Sequence, residues 1–263
     1  MPELPDVEVF RKYLQSTSLK RRVRDVRTTR EELYRDHGRD DVVKALKGSR
    51  LEDTRRHGKN LFVKLSGGEW LLLHFGMSGF LKSYRKPAEE PPHQRLVMAL
   101  DDGSNLAYDS QRLLGTVSVV ESPEEYAKRK ELGPDALSDR MSAERFAELL
   151  AGSRATVKSA LMDQGRIAGL GNVYTDETLF QAGIHPRRRA SELSGEELEE
   201  MYRTMTRVLR KAIDFGAEAS NAPRSWLLPR REEGAECPGC GGSIERTTIS
   251  GRATYFCARC QPP

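Results

Sequence analysis

Four cysteines are confined to the carboxy-terminal end of this 263-residue chain. They form two Cys-x2-Cys pairs separated by sixteen residues: Cys237, Cys240, Cys257 and Cys260. Each short pair presents two thiolates from one turn, and the stretch between the pairs can fold back as a hairpin. The spacing therefore predicts a tetrahedral site for one structural Zn²⁺. A zinc ribbon of this kind can also serve only to stabilise a tail too short to fold alone. We assign no histidine ligand and no catalytic metal.

Within the cysteine segment, the stretch SGRATYFC places Arg252 beside a glycine turn, five residues before Cys257. A guanidinium on a rigid hairpin can bind a phosphate through two parallel hydrogen bonds. The spacing alone leaves open whether Arg252 does so.

A second candidate anion site lies in the stretch GRIAGLGNVY. We predict that one helix ends at Asp163, that a glycine-rich turn follows, and that the next helix begins at Asn172. Glycines let a ligand approach the backbone, and an asparagine amide adds to the free N–H groups of a helix start, so this geometry suits a phosphate. The alternative is an ordinary packing corner between two helices.

Composition sets broad limits on the function. Hydrophobic residues make up 37% and charged residues 31% of the chain, a balance typical of soluble proteins. The opening residues do not resemble a secretory signal, and no apolar run approaches the ~18 residues of a membrane helix, so we expect a cytoplasmic protein. The net charge of +4 suggests a polyanionic partner without requiring one. Basic residues cluster in 19–30 and acidic residues in 192–200.

Two kinds of element must position these residues. Short β-prone runs such as NLFVKL, WLLLHF and RLVMAL predict an antiparallel sheet or sandwich in residues 1–128. From 129 onward the pattern is helical. The clearest helix has Ser194 as N-cap, Glu197 completing a capping box and Gly216 beyond its end. A loop-like linker, 216–236, leads to the cysteines. We predict three domains: 1–128, 129–220 and 221–263.

Four motifs in this order resemble the formamidopyrimidine-DNA glycosylase and endonuclease VIII family over the whole chain: PELPDVE at the start, HFGMSG at 74–79, GLGNVY with AGIHP at 169–186, and the four-cysteine finger with GRATYFC. The resemblance implies a multi-domain α+β fold. It consists of an N-terminal β-sandwich, a helix-two-turn-helix domain and a C-terminal zinc finger. The implied activity is that of a base-excision repair DNA glycosylase with AP lyase activity, which removes oxidised or ring-opened bases. We expect a monomer that binds double-stranded DNA containing damaged bases or abasic sites. We expect no membrane partner, and association with the nucleoid if the source is bacterial.

The resemblance also gives the opening residues a chemistry. If the initiator Met is removed, Pro2 carries a free secondary amine that can attack the sugar C1′ and form a Schiff base, followed by β- and δ-elimination. Glu3 would move protons on the sugar and support the charged intermediate. Without the rest of the chain, PELP would be interpreted as an extended lead-in.

The remaining roles follow from the same family motifs. Lys59, in HGKNLF, is expected to be a catalytic residue and to contact the phosphate at the lesion. Asn172 and Arg252 would grip the backbone beside the flipped nucleotide, so that phosphate contacts position the duplex while a pocket reads the base. Met77 would fill the space left by that base, although it could also be a core residue at a strand end. Three further residues in family motifs are expected to be structural or to line the pocket: Glu8, Gln164 and Glu177.

Two departures from the family pattern concern substrate choice. After Asp109 the chain has SQRLLG, where the family typically has Pro, two Arg, Phe and Gly. Leu113 or Leu114 then replaces the aromatic wedge, and Arg112 would face the orphaned base. The linker 216–236 is also short beside the loop that covers 8-oxoguanine in the family. We therefore expect 8-oxoguanine to be a poor substrate, and ring-opened purines or oxidised pyrimidines to be better ones.

A competing interpretation is a non-catalytic zinc-finger protein that binds damaged or single-stranded DNA. The joint presence of Pro2, Glu3 and Lys59 argues against it, because a binder needs no N-terminal amine. A zinc-ribbon protein that binds RNA or the ribosome would leave the first 80 residues unexplained.

Overall fold

The computed structural model describes residues 2–34 and 38–263, so Met1, whose removal the proline chemistry requires, lies outside the described residues. The chain divides into two compact units. Unit 1 contains Pro2 and Asp6–Glu131, and unit 2 contains Glu3–Pro5 and Leu132–Pro263. Within the described ranges, no helix combines the length and the apolar character needed to cross a bilayer.

The first half of the chain is built mainly from strands. Two antiparallel four-stranded sheets form, with strand orders β1-β6-β7-β5 and β2-β3-β4-β8. In chain order the elements are α1 (Leu4–Thr17), β1 (Val23–Thr28), α2 (Arg39–Leu46), β2 (Leu51–His57), β3 (Asn60–Leu65), β4 (Trp70–His74), β5 (Phe80–Tyr84), β6 (Gln94–Leu100), β7 (Asn105–Asp109), β8 (Thr116–Val120) and α3 (Pro123–Arg129).

Both sheets contribute to one hydrophobic core. Leu61 and Leu73 from the second sheet and Leu96 and Tyr108 from the first are fully buried in the same cluster. Two sheets that share a core form a sandwich, which confirms the predicted architecture.

The strand pattern did not predict α1. Its apolar residues Val7, Phe10 and Leu14 recur at helical spacing and pack on the unit 1 core, where the Phe10 and Phe75 ring centroids are 4.6 Å apart. Pro5 in the first turn is compatible with a helix start, because the N–H groups there have no intrahelical acceptor.

The second half of the chain is helical and ends in a two-stranded hairpin. Its elements are α4 (Ala143–Leu150), α5 (Val157–Met162), α6 (Asn172–Gln181), α7 (Gly195–Asp214), β9 (Glu245–Ile249) and β10 (Arg252–Phe256). The predicted capping box of α7 is present: the Ser194 hydroxyl accepts from the Glu197 N–H, and the Glu197 carboxylate accepts from the Ser194 N–H. Its apolar face, including Met201 and Met205, is buried where α7 packs on α4 and α6.

Candidate functional site

The side chain of Glu3 is buried and caps the start of α6. Its two carboxylate oxygens accept hydrogen bonds from the N–H groups of Gly171 at 2.9 Å, Val173 at 2.8 Å and Tyr174 at 3.1 Å. A carboxylate at this position is stabilised by the unpaired donors and the helix dipole. Glu3 therefore occupies three of the backbone donors of the predicted phosphate seat, and phosphate binding by the Asn172 side chain stays a prediction.

The glycines of this turn accommodate the amino-terminal segment. A Cβ on Gly169 would lie 2.4 Å from Leu4 Cδ1, and one on Gly171 would lie 2.4 Å from Glu3 Cδ. The Leu4 N–H also donates to the Gly169 carbonyl at 3.1 Å. The residues that approach these two glycines are thus Glu3 and Leu4 of the chain itself. Their close packing explains why glycines stand in this turn.

Gln164 stabilises the same turn. Its amide nitrogen donates to the carbonyls of Met162 at 2.9 Å and Leu170 at 2.7 Å, and its amide oxygen accepts from the Gly169 N–H at 3.1 Å. One side chain therefore bridges both ends of the turn between α5 and α6, a structural role.

The structure brings Asn172 and the zinc hairpin together. The Asn172 amide nitrogen donates to the Ala253 carbonyl at 2.9 Å, while its amide oxygen is buried and has no hydrogen-bond partner. Arg252, the preceding residue on β10, is exposed and follows a tight turn in which Ser250 and Gly251 have φ values of +48° and +71°. An amide and an exposed guanidinium thus lie on adjacent elements of unit 2.

The four cysteines fit one tetrahedral metal ion. Their sulfur atoms all lie within 4.8 Å of one another, with Cys237 Sγ 3.7 Å from Cys260 Sγ and Cys240 Sγ 3.6 Å from Cys257 Sγ. A tetrahedron of sulfurs bonded to Zn²⁺ has edges of about 3.8 Å. The predicted one-zinc site is therefore confirmed by the arrangement of its ligands.

Glu177 anchors the linker to α6. Its carboxylate accepts from the N–H groups of Leu228 at 2.7 Å and Leu227 at 3.3 Å, and from the Gln181 amide at 2.8 Å. The side chain is buried, and burial raises its pKa to about 7 despite these donors. Glu177 thus has a structural position inside unit 2.

In unit 1, the loops 75–79 and 110–115 pack against each other. Gly76 has φ +59°, and a Cβ there would lie 2.4 Å from the Leu114 carbonyl carbon. The Arg112 N–H donates to Ser78 Oγ at 3.2 Å, and the Arg112 side chain is exposed. The structure therefore places Met77, Arg112 and the leucine pair on neighbouring loops.

Exposure distinguishes the two leucines of the loop 110–115. Leu114 is 45% exposed and Met77 is 38% exposed, whereas Leu113 is half-buried against the unit 1 core. The sequence left the choice between Leu113 and Leu114 open, and Leu114 presents the more exposed side chain. Phe80, which the sequence analysis did not single out, is 37% exposed and completes the set of exposed large hydrophobic residues in the described part of the chain.

The remaining predicted residues of unit 1 lie on α1, on β2 or next to them. Lys59 is half-buried on the two-residue turn between β2 and β3, and Pro2 is half-buried. Glu8 on α1 pairs with Arg11 at 2.6 Å and with Arg56 on β2 at 3.1 Å. Burial opposes the ionisation of Glu8, but the two guanidinium groups outweigh it and lower its pKa. Glu8 therefore ties α1 to the sheet.

Three family profiles match the chain in order. The formamidopyrimidine-DNA glycosylase N-terminal domain matches residues 1–117, the H2TH domain of that glycosylase matches 132–223, and a zinc finger found in FPG and IleRS matches 234–263.

Curated relatives match over nearly their full length. The formamidopyrimidine-DNA glycosylase of Gluconobacter oxydans is 38% identical over 277 residues, covering 99% of this chain and 100% of the relative. The same enzyme from Symbiobacterium thermophilum is 35% identical over 278 residues, covering 100% of this chain and 90% of the relative.

Solved structures also match over nearly the whole chain. Lactococcus lactis Fpg in complex with abasic-site DNA matches with a TM-score of 0.90 at 27% identity, with full coverage of both chains. The Lactococcus lactis enzyme with Fapy-dG DNA matches equally well, with a TM-score of 0.90, 27% identity and coverage of 99% of this chain and 100% of that one. MutM in complex with DNA containing carbocyclic 8-oxo-G has a TM-score of 0.90 at 27% identity and full coverage of both chains.

Proposed function

Because the chain belongs to the formamidopyrimidine-DNA glycosylase family, we propose that it is a base-excision repair DNA glycosylase with AP lyase activity. Its partner is double-stranded DNA that contains damaged bases or abasic sites. One observation carries the assignment of the chemistry to this chain: Glu3, the neighbour of Pro2, is buried and held by three N–H donors of α6. These donors fix a carboxylate on the residue next to Pro2, where the proposed chemistry requires a group that transfers protons.

The Pro2 nitrogen is the nucleophile once Met1 is removed. It attacks C1′ of the deoxyribose, the glycosidic bond breaks, and its electron pair leaves with the damaged base. Opening of the sugar ring gives an iminium ion whose positive charge acidifies the C2′ proton. Loss of that proton expels the 3′ phosphate, and a second elimination expels the 5′ phosphate.

Glu3 moves protons on the sugar and supports the cationic intermediate. The α6 donors keep its carboxylate in a fixed orientation, so little reorganisation is needed when positive charge develops. Zn²⁺, held by the four cysteines, supplies structural stability to the hairpin and takes no part in these steps.

The DNA is bound through its phosphates and at the position of the extruded base. Lys59, Asn172 and Arg252 contact phosphates beside the flipped nucleotide. Met77 fills the space left by the extruded base, and Arg112 faces the orphaned base. We assign the second wedge to Leu114 instead of Leu113, because an inserting side chain must be exposed before DNA binds.

The function is tested by trapping the Schiff base. Protein with Pro2 as its mature terminus is incubated with abasic-site DNA and borohydride, and the adduct is mapped by mass spectrometry. The matched control is the same chain with one residue retained ahead of Pro2, which leaves the Pro2 nitrogen acylated. We expect an adduct at Pro2 in the first sample only. Salt-sensitive, reversible binding without an adduct would instead support the non-catalytic binder.

The lesion preference is a separate proposal. The leucine-containing loop and the short linker favour formamidopyrimidines or oxidised pyrimidines over 8-oxoguanine. Single-turnover cleavage of duplexes carrying each lesion should be at least about tenfold slower for 8-oxoguanine opposite cytosine, a difference of about 1.4 kcal/mol in the barrier. A preference for 8-oxoguanine would overturn this proposal and leave the glycosylase assignment intact.

We also propose the domain boundaries 1–128, 129–220 and 221–263, a monomeric state and a cytoplasmic location. The family matches support the number and the order of these domains.

A further inference from the structure

Arg231, in the linker ahead of the zinc finger, contacts two elements of unit 2, α6 and β10. One guanidinium nitrogen donates to the Asn172 carbonyl at 3.2 Å, and another lies 3.0 Å from Asp176 Oδ2. The guanidinium also lies over the Tyr255 ring, 5.2 Å from its centroid. Its side chain is only 13% exposed. None of the proposed chemical steps uses this residue.

Asp176 on α6 is the centre of the same network. Its side chain is fully buried; Oδ1 accepts from Lys158 Nζ at 2.6 Å, and Oδ2 accepts from the Tyr255 N–H at 3.1 Å. Lys158 Nζ also donates to Thr254 Oγ1 at 2.7 Å. Two cations and one carboxylate therefore connect α5, α6, the linker and β10. Breaking such a buried arrangement leaves an unpaired charge, which is strongly destabilising.

Both proposed phosphate-binding residues of unit 2 are attached to this network. The main chain of Asn172 is held by Arg231, and its side-chain amide is held by Ala253. Arg252 immediately precedes three residues of β10 that the network fixes, Ala253 to Tyr255. The relative positions of the Asn172 amide and the Arg252 guanidinium thus depend on the group that joins α6 to β10.

We propose that Arg231 is a positioning residue that sets the spacing of Asn172 and Arg252, so that both contact the DNA backbone at once. The inference rests on the proposed function. Simultaneous binding of the DNA backbone by two residues is tight only when the protein already holds them at the correct distance. Otherwise the second contact costs conformational entropy. Arginine is required because its planar fork can donate to Asn172 and Asp176 together while it lies over the Tyr255 ring, which a lysine ammonium cannot do.

The test is a double-mutant cycle on binding to abasic-site DNA. Arg231→Lys keeps the charge and should raise Kd about tenfold. Arg252→Ala should raise Kd by a similar factor, because one phosphate is no longer bound by a guanidinium. The double variant should bind about as weakly as either single variant, because Arg231 acts through Arg252 and its partner. Arg230→Lys, at the exposed neighbouring position of the linker, is the matched control and should leave Kd unchanged.

Zinc content and the thermal midpoint are measured for each variant. If Arg231→Lys loses zinc or fails to fold, Tyr255→Leu is used in its place, since it removes the ring below the guanidinium while keeping an apolar side chain. Independent, multiplying effects, about a hundredfold for the double variant, would show a merely structural role and overturn the inference. So would an unchanged Kd for Arg231→Lys. The wild-type protein is also tested for the Pro2 adduct. If the adduct forms while the binding results contradict the inference, the role of Arg231 is wrong and the proposed function still holds.

Discussion

A single carboxylate, that of Glu3, connects the amino-terminal end of the chain with α6. Three N–H groups donate to its two oxygens, and hydrogen bonds to a charged acceptor contribute about 1.5–3 kcal/mol each. An amide at this position would keep one acceptor and turn an NH₂ group toward backbone donors. A residue proposed for catalysis is therefore also a helix cap.

We predict that Glu3→Gln lowers both activity and stability. The free energy of unfolding should fall by about 2–4 kcal/mol, since at least one buried donor loses its acceptor. Urea unfolding measures the stability, and borohydride trapping on abasic-site DNA measures the chemistry. A variant that loses trapping while keeping wild-type stability would contradict the capping role.

Glu177 gives a prediction for the pH dependence of stability. Burial raises its pKa from 4.5 to about 7, so the folded state binds a proton more tightly than the unfolded state. The stabilisation from this group is fully present below pH 4.5 and is lost as the pH rises through about 7. The difference in unfolding free energy between the wild type and Glu177→Gln, measured in urea at a series of pH values, should fall by about 2–3 kcal/mol between pH 5 and pH 8. A flat or rising difference would contradict the buried titration.

At the scale of elements, the sequence predicted those helices and strands that depend on interactions between residues close in the chain. The capping box of α7 and the alternating or apolar strand runs required only residues close in sequence. α1 was missed because residues 1–128 were predicted to consist mainly of strands, although Val7, Phe10 and Leu14 follow helical spacing. The occupied donors at α6 could not be predicted, because their acceptor, Glu3, lies about 170 residues earlier in the chain. Nothing in the spacing of Lys158, Asp176 and Arg231 marks them as one network.

The turn at Gly76 provides an element-scale prediction for the paired loops. Gly76→Ala places a Cβ 2.4 Å from the Leu114 backbone at a φ of +59°, so the loop 110–115 must move. Affinity for abasic-site DNA should fall at least about tenfold, because Met77 and Leu114 would no longer be held together. Gly48→Ala is the matched control: it also has a positive φ, +84°, but no atom lies near its Cβ. It should cost about 1 kcal/mol of stability and leave the affinity unchanged. Equal losses of affinity in both variants would assign the effect to backbone strain alone.

At the scale of the whole molecule, the zinc finger is the part least able to stabilise itself. Units 1 and 2 each have a large buried cluster, whereas the cluster around the cysteines contains few buried residues: Phe180, Leu227, Cys237, Ile244 and Cys257. A core of this size does not offset the entropy of ordering the hairpin, so the metal must supply the difference.

We predict that removing zinc with a chelator unfolds the hairpin while the sandwich of unit 1 stays folded. DNA affinity should then fall further than in zinc-loaded Arg252→Ala. That variant lacks only the Arg252 guanidinium, whereas unfolding of β10 also releases the Asn172 amide from Ala253. The slope of log Kobs against log salt should decrease by about 0.9 for each phosphate that the protein no longer neutralises, a measure that is independent of the affinity itself. Binding is measured by fluorescence anisotropy on abasic-site DNA, with zinc restored as the control. Metal-free protein that binds as tightly as zinc-loaded Arg252→Ala would show that the hairpin acts through Arg252 alone.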